Sequence, residues 1–169
     1  GEILLHPLKT YQLFNVTGAA REWWDLGTSA VETSLQVLFY NIFGMNDAID
    51  TAGGTPYDNQ QTYYSGSFDD DALNASVDEV VGDDGAIAYT GSYYEPAGNV
   101  SAPLVTMHNT LDPAVPFQHE LIYSQRASGA IDAGLLTQIP VDGYGHCAFT
   151  ADQMLYAFNE LLNMLQPEP

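Results

Sequence analysis

Two short, almost continuously apolar runs, "APLVTMHN" (102–109) and "LLTQIPV" (135–141), are separated by a stretch with helical character. A strand without polar alternation is one covered on both faces, the condition of strands in a parallel sheet. The intervening stretch places Pro116 where a first helical turn accepts it, which predicts a helix to about Gly129. After the second run, Thr150 and Gln153 have the spacing of a capping box. Met154, Ala157, Phe158, Leu161, Leu162 and Leu165 then form an apolar stripe at helical spacing. Residues 102–169 therefore read strand–loop–helix–strand–loop–helix. Such a unit requires a right-handed crossover with helices covering the sheet, so the expected fold class is α/β.

Residues 19–98 read as largely helical. "SAVETSLQVLFYNIF" opens with Ser29 and Glu32 in capping-box spacing and repeats Val31, Leu35, Leu38, Phe39 and Ile42 on one helical face. This helix is expected to end at Gly44. Residues 45–68, rich in Gly, Asn, Asp and Tyr, suggest a short helix and a loop. "DDDALNASVDEVV" and "GAIAYTGSYY" suggest two further short helices, the first with acidic residues at its favourable end. Residues 1–18, apolar and punctuated by proline, are expected to be a strand and loop leading out of a core.

The charge balance removes whole classes of partner. Twenty-two acidic residues stand against Lys9, Arg21 and Arg126, for a formal charge of −19. That field repels nucleic acid and anionic lipid surfaces alike. No apolar run approaches the roughly 18 residues a membrane span needs. A lone cysteine, Cys147, excludes an internal disulfide and any cysteine-based metal site. His6, His108, His119 and His146 show no HExxH spacing, so no zinc site is expected. The run Asp69–Asp71 lacks the spaced pattern of a calcium loop and suits helix capping. The first residues lack the basic and long apolar segments of an intact signal peptide. Strong acidity and N-x-S/T sequons at Asn15, Asn74 and Asn99 nevertheless fit an exported, secreted or periplasmic chain.

In open α/β sheets, chemistry gathers beyond the C-terminal ends of the strands. "HNTLDPAVPFQHE" (108–120) places Asp112 there after the first run, and "DGYGHCAFT" (142–150) places His146 there after the second. Gly143 and Gly145 allow the loop carrying His146 to turn tightly. A carboxylate meeting an imidazole at that rim would hold one tautomer and make the ring a general base. On spacing alone, Asp-Pro as a turn starter and Gly-His before a helix are an equal alternative.

"PLVTMHNTLDPAVPFQHELIYSQ" (103–125) and "VDGYGHCAFTADQMLYAFNELL" (141–162) resemble the closing third of an α/β-hydrolase. The shared features are an apolar strand ending in a His-containing pair, an acid in D-x-x-V-P, and a histidine in a G-H-C-x-F setting before the last helix. More loosely, "YSGSFDDDALNASV" and "YTGSYYEPAGNVSAPLVTMH" resemble the cap-to-core junction of secreted bacterial esterase-like members. The resemblance implies a C-terminal portion of that fold, with Asp112 as triad acid and His146 as triad base. It implies core strand and loop at 1–18, a helical cap at 19–98 and α/β core at 99–169. The expected activity is serine-dependent cleavage of a carboxylic ester or related acyl substrate, without metal or organic cofactor.

The family carries its serine earlier in the chain, in G-x-S-x-G between strand and helix. No such pentapeptide occurs here. "GTSAV" around Ser29 has Val31 where glycine is required and no strand before it, and "SGSFD" around Ser67 also fails. The resemblance therefore implies a nucleophile on a missing N-terminal segment or a companion chain. The rival expectation is a non-catalytic, hydrolase-derived binding module, since half a sheet exposes an edge that something must cover. Among the remaining residues, His108 is expected to pack at the strand rim, and His119 and Glu120 to lie on a solvated face. Cys147 is expected to be a buried small hydrophobe. Trp23, Trp24, Phe39, Tyr40 and Phe43 are expected to fill a core or line an apolar acyl pocket, and the tyrosines at 57, 63, 64, 93 and 94 to pack on the surface.

Overall fold

The two apolar runs pair as parallel strands in the computed structural model, which describes residues 5–22 and 24–166. Strand β1 (Leu104–Leu111) lies beside β2 (Leu136–Tyr144), with Leu104 opposite Leu136, Met107 opposite Ile139 and Asn109 opposite Val141. Past Asn109 the register slips, and Leu111 faces Tyr144, so β2 carries an extra residue in a bulge just before the loop of His146. Pro140, midway along β2, has no N–H to donate, which suits β2 to the border of a sheet. Among the described residues the sheet consists of these two strands. The molecule is a mixed α/β structure.

Two units are distinguished by their internal contacts, Gly1–Glu95 and Pro96–Pro169. In the first, α1 spans Pro7–Thr17, where a strand and loop were expected. Pro7 occupies the first helical turn, where its missing N–H costs nothing, and Gly18 closes the helix at φ 65°. Residues 1–4 lie outside the described residues.

Helix α2 (Leu26–Phe39) starts earlier than the Ser29 expectation. Its cap is Asp25, whose carboxylate accepts from the Thr28 amide, while the Ser29 hydroxyl donates back to the Asp25 carbonyl. Nor does the helix stop at Gly44. That residue is helical, and the chain passes through a wide π-type turn (Tyr40–Gly44) into α3 (Met45–Ala52), which ends at Gly53 with φ 74°. The faces of α2 are also inverted relative to expectation. Ser29, Ala30, Thr33 and Ser34 are buried, whereas Leu35, Leu38, Phe39, Ile42 and Phe43 are exposed. Hydroxyls hold the buried face in place: Thr33 donates to the Ala20 carbonyl, and Ser29 accepts from the Glu22 amide. Trp23 lies outside the described residues, and Trp24, Phe39, Tyr40 and Phe43, expected in a core or lining an acyl pocket, are exposed.

Helices α4 (Asp70–Asn74) and α5 (Asp84–Tyr93) occupy the two stretches expected to be helical. Asp69 caps α4, and the loop before it is tied down by two side chains. Asn74 exchanges hydrogen bonds with both the amide and the carbonyl of Tyr64, so this sequon asparagine has its amide nitrogen engaged within the fold. Asp70 accepts from the Ser67 hydroxyl at 2.6 Å and from the amides of Ser67 and Gly66.

In the second unit, α6 (Gln118–Arg126) and α7 (Ser128–Asp132) connect the strands. Ala127, Ala130 and Leu136 form the small core, with Val100, Leu104, Tyr123 and Leu135 packed around it. Gly98, at φ 72°, passes so close to the end of α6 that an added Cβ would lie 2.4 Å from the Arg126 carbonyl oxygen. The last helix, α8 (Ala151–Met164), has the full Thr150–Gln153 capping box and packs on β1. Ala157, Leu161 and Met164 are its more buried positions, while Met154, Phe158, Leu162 and Leu165 of the expected stripe are exposed.

The Ser67 hydroxyl first, then the Gly66 and Ser67 amides, hold the Asp70 carboxyl below its ordinary value of 3.8. A lowered carboxyl pKa stabilises the folded state above the unfolded value and loses that contribution as pH falls through the folded one. Amide protection factors at Gly66 and Ser67 are therefore expected to drop as pH falls below the ordinary carboxyl range, and Asp70→Asn should flatten that dependence. Equal acid sensitivity in the variant would count against this assignment.

Candidate active site

The C-terminal ends of β1 and β2 bring together two residues thirty-four positions apart. His146 Nδ1 lies 2.8 Å from Asp112 Oδ2. The Asp112 side chain is only 3% exposed, while that of His146 is 47% exposed. A buried carboxylate needs its lone pairs met, and here they are. Oδ1 accepts from the Ala114 and Val115 amides, both at 2.8 Å, in the tight turn that follows β1. Oδ2 accepts a hydrogen bond from His146. An ionised carboxylate can only accept, so Nδ1 is the donor, and the neutral ring keeps its lone pair on Nε2.

The loop bearing His146 is held from β1. Asn109 is 1% exposed, and its Oδ1 accepts from the Ala148 amide at 2.9 Å, two residues beyond the histidine. The Gly145 amide donates to the Leu111 carbonyl at 3.2 Å, continuing the pairing past the bulge. Gly145 has φ 132°, and an added Cβ there would lie 2.7 Å from that of Ala148. Cys147 follows with φ 53°, a left-handed conformation uncommon outside glycine. Its thiol is exposed, not buried as expected, and Sγ lies 3.9 Å from His146 Nε2. The left-handed turn directs this small side chain outward beside the imidazole instead of into a core.

His108 stands behind Asp112. Its Nε2 donates to the Val115 carbonyl at 2.8 Å and lies 3.5 Å from Asp112 Oδ2, while Nδ1 lies 3.5 Å from Glu120 Oε1. Glu120 is partly buried, not on a solvated face. The Thr106 hydroxyl and the Gln138 side-chain amide both donate to its Oε2. His119 is exposed, as expected. Asn109, Thr106, Gln138 and Glu120 were not marked as site residues by sequence reasoning. A signal was present in β1, where Thr106, His108 and Thr110 are polar at the two-residue spacing that puts them on one face.

The dyad can take a proton at Nε2 from a group placed against the open side of the ring. Among the described residues no group of three or more His, Cys, Asp or Glu side chains could hold a metal ion. No helix among them is long and apolar enough to cross a membrane. No protein-family model, curated protein or solved structure matches the chain.

Asn109→Ala would leave the Ala148 amide without its acceptor and remove a buried side chain. The variant is expected to lose about 0.5–1.5 kcal/mol of unfolding free energy in a denaturant titration. A loss below about 0.5 kcal/mol would mean that the clamp is not made in solution.

Proposed function

We propose that this chain supplies the acid and base of a serine-dependent hydrolase acting on a carboxylic ester or related acyl substrate. The resemblance to the closing third of an α/β-hydrolase suggested that reading. The observation that carries it is the Asp112–His146 hydrogen bond at 2.8 Å, made by a buried carboxylate and a half-exposed imidazole. Asp112 would keep the proton on Nδ1 and stabilise the imidazolium. His146 Nε2 would remove the proton of the attacking hydroxyl and return it to the leaving alcohol. No metal or organic cofactor takes part in this scheme.

The nucleophile in this reading is a serine on a segment preceding these residues or on a companion chain. Several observations support such an addition. Beyond β2, β1 has no further strand partner among the described residues, and Pro140 marks β2 as the outer strand. The apolar faces of α2 and α8 are exposed in proportions that soluble surfaces seldom leave uncovered. An exported setting, outside the cell or in the periplasm, belongs to the same proposal and agrees with the strongly acidic composition.

A second reading is favoured by those same exposed faces: a non-catalytic module derived from a hydrolase that binds a partner through them. Hydrolysis of short acyl esters by the complete assembly separates the two. Asp112→Asn is expected to lower kcat by about 10⁴-fold and His146→Ala by about 10⁶-fold, as loss of the orienting acid or of the base does. Cys147→Ala should leave kcat within about twofold if the nucleophile is a hydroxyl, whereas a thiol nucleophile would lose turnover altogether. An assembly no faster than its His146→Ala form would overturn the enzymatic reading and leave the binding module.

A further inference from the structure

We propose that His108 and Glu120 form an inner imidazole–carboxylate pair that positions Asp112 for His146, an inference that rests on the dyad reading above. Four side chains stand in series: Glu120 Oε1 lies 3.5 Å from His108 Nδ1, His108 Nε2 lies 3.5 Å from Asp112 Oδ2, and Asp112 Oδ2 lies 2.8 Å from His146 Nδ1. The contact that does the positioning is His108 Nε2–H to the Val115 carbonyl at 2.8 Å. The amide of that same Val115 donates to Asp112 Oδ1 at 2.8 Å. The ring therefore grips the turn from its carbonyl side while the amide side of the turn holds the carboxylate. Rotation of Asp112 away from His146 would have to break the amide bonds or drag the turn off His108.

The Val115 carbonyl fixes which way the His108 ring faces, and Glu120 lies at its other nitrogen. A carbonyl acceptor on Nε2 requires the proton there, which leaves Nδ1 toward Glu120 Oε1 and makes an ion pair whenever the ring is doubly protonated. The carboxylate is itself anchored across both strands. Thr106 and Gln138, which donate to its Oε2, are register partners in β1 and β2, and Gln138 also donates to the Glu120 carbonyl at 3.0 Å. The edge of the His108 ring meets the Phe117 ring at 5.7 Å and 89°, closing the remaining side. A histidine that merely filled space would need the Val115 carbonyl alone. Here a second carboxylate, held by two strands and a helix, is aimed at its other nitrogen.

The test begins with the complete unsubstituted protein. Long-range proton–nitrogen NMR is expected to find His108 carrying its proton on Nε2, and a strongly low-field, slowly exchanging proton on His146 Nδ1. His108 protonated on Nδ1 alone would overturn the proposal, whatever becomes of any variant. In His108→Gln and Glu120→Gln, the His146 low-field proton is expected to broaden through faster exchange. Turnover of an activated acyl ester should fall about 10- to 100-fold with KM within about twofold, the usual cost of losing an outer partner that orients a reacting group. Because the two residues act as one device, the double variant should be no slower than His108→Gln alone. A folded variant that keeps both the low-field proton and full kcat refutes the pair. If the unsubstituted assembly hydrolyses no ester, the enzymatic reading fails, and the NMR measurements still decide whether His108 and Glu120 hold Asp112.

Discussion

The burial of one carboxylate organises the second unit. Asp112 is almost fully removed from water, and an ionised group there is tolerable only when donors converge on it. Two amides of the following turn and the ring of His146 supply that convergence. Each donor in turn demands a placement: the turn must close tightly after β1, β2 must end beside it, and the loop of His146 must fold back. The bulge in β2 and the left-handed residues that follow achieve this last requirement.

The supporting contacts come from buried polar groups more than from a large apolar core. Asn109 ties the histidine loop to β1, and Glu120 ties α6 to both strands. The apolar cluster beneath them is made largely of small side chains, Ala127 and Ala130 among them. Polar networks of this kind specify a geometry more sharply than they stabilise it, because each unmet partner carries a penalty. Such a balance suits a site whose purpose is to hold two side chains in fixed relation.

Elsewhere the chain spends its apolar residues on the outside. The α2 stripe and much of the α8 stripe face outward, while serines, threonines and alanines take the inner face of α2. A formal charge of −19 keeps such a surface from collapsing onto copies of itself and steers away anionic partners. Both functional readings would set a partner against these exposed faces.

Much of the second unit was legible in the sequence. Two unalternating apolar runs, a proline before a helix and a Thr–Gln cap are local signals whose physics acts within a few residues, and they became β1, β2, α6 and α8, with α6 ending at Arg126, short of the expected Gly129. The positions of Asp112 and His146 after their strands followed from the same grammar. Local signals mislead where two of them compete. Pro7 and Gly18 start and stop a helix in a stretch that looked extended, and Asp25 outcompeted Ser29 as a cap. Tertiary structure alone decided which helical face is buried, that Cys147 stands in the open, and that Glu120 turns inward to meet His108. Periodicity tells which side chains share a face, but the neighbour that face meets is chosen by contacts between residues far apart in the chain. For the same reason the 2.8 Å contact between Asp112 and His146 could be anticipated only as a possibility, and strand register made it a distance.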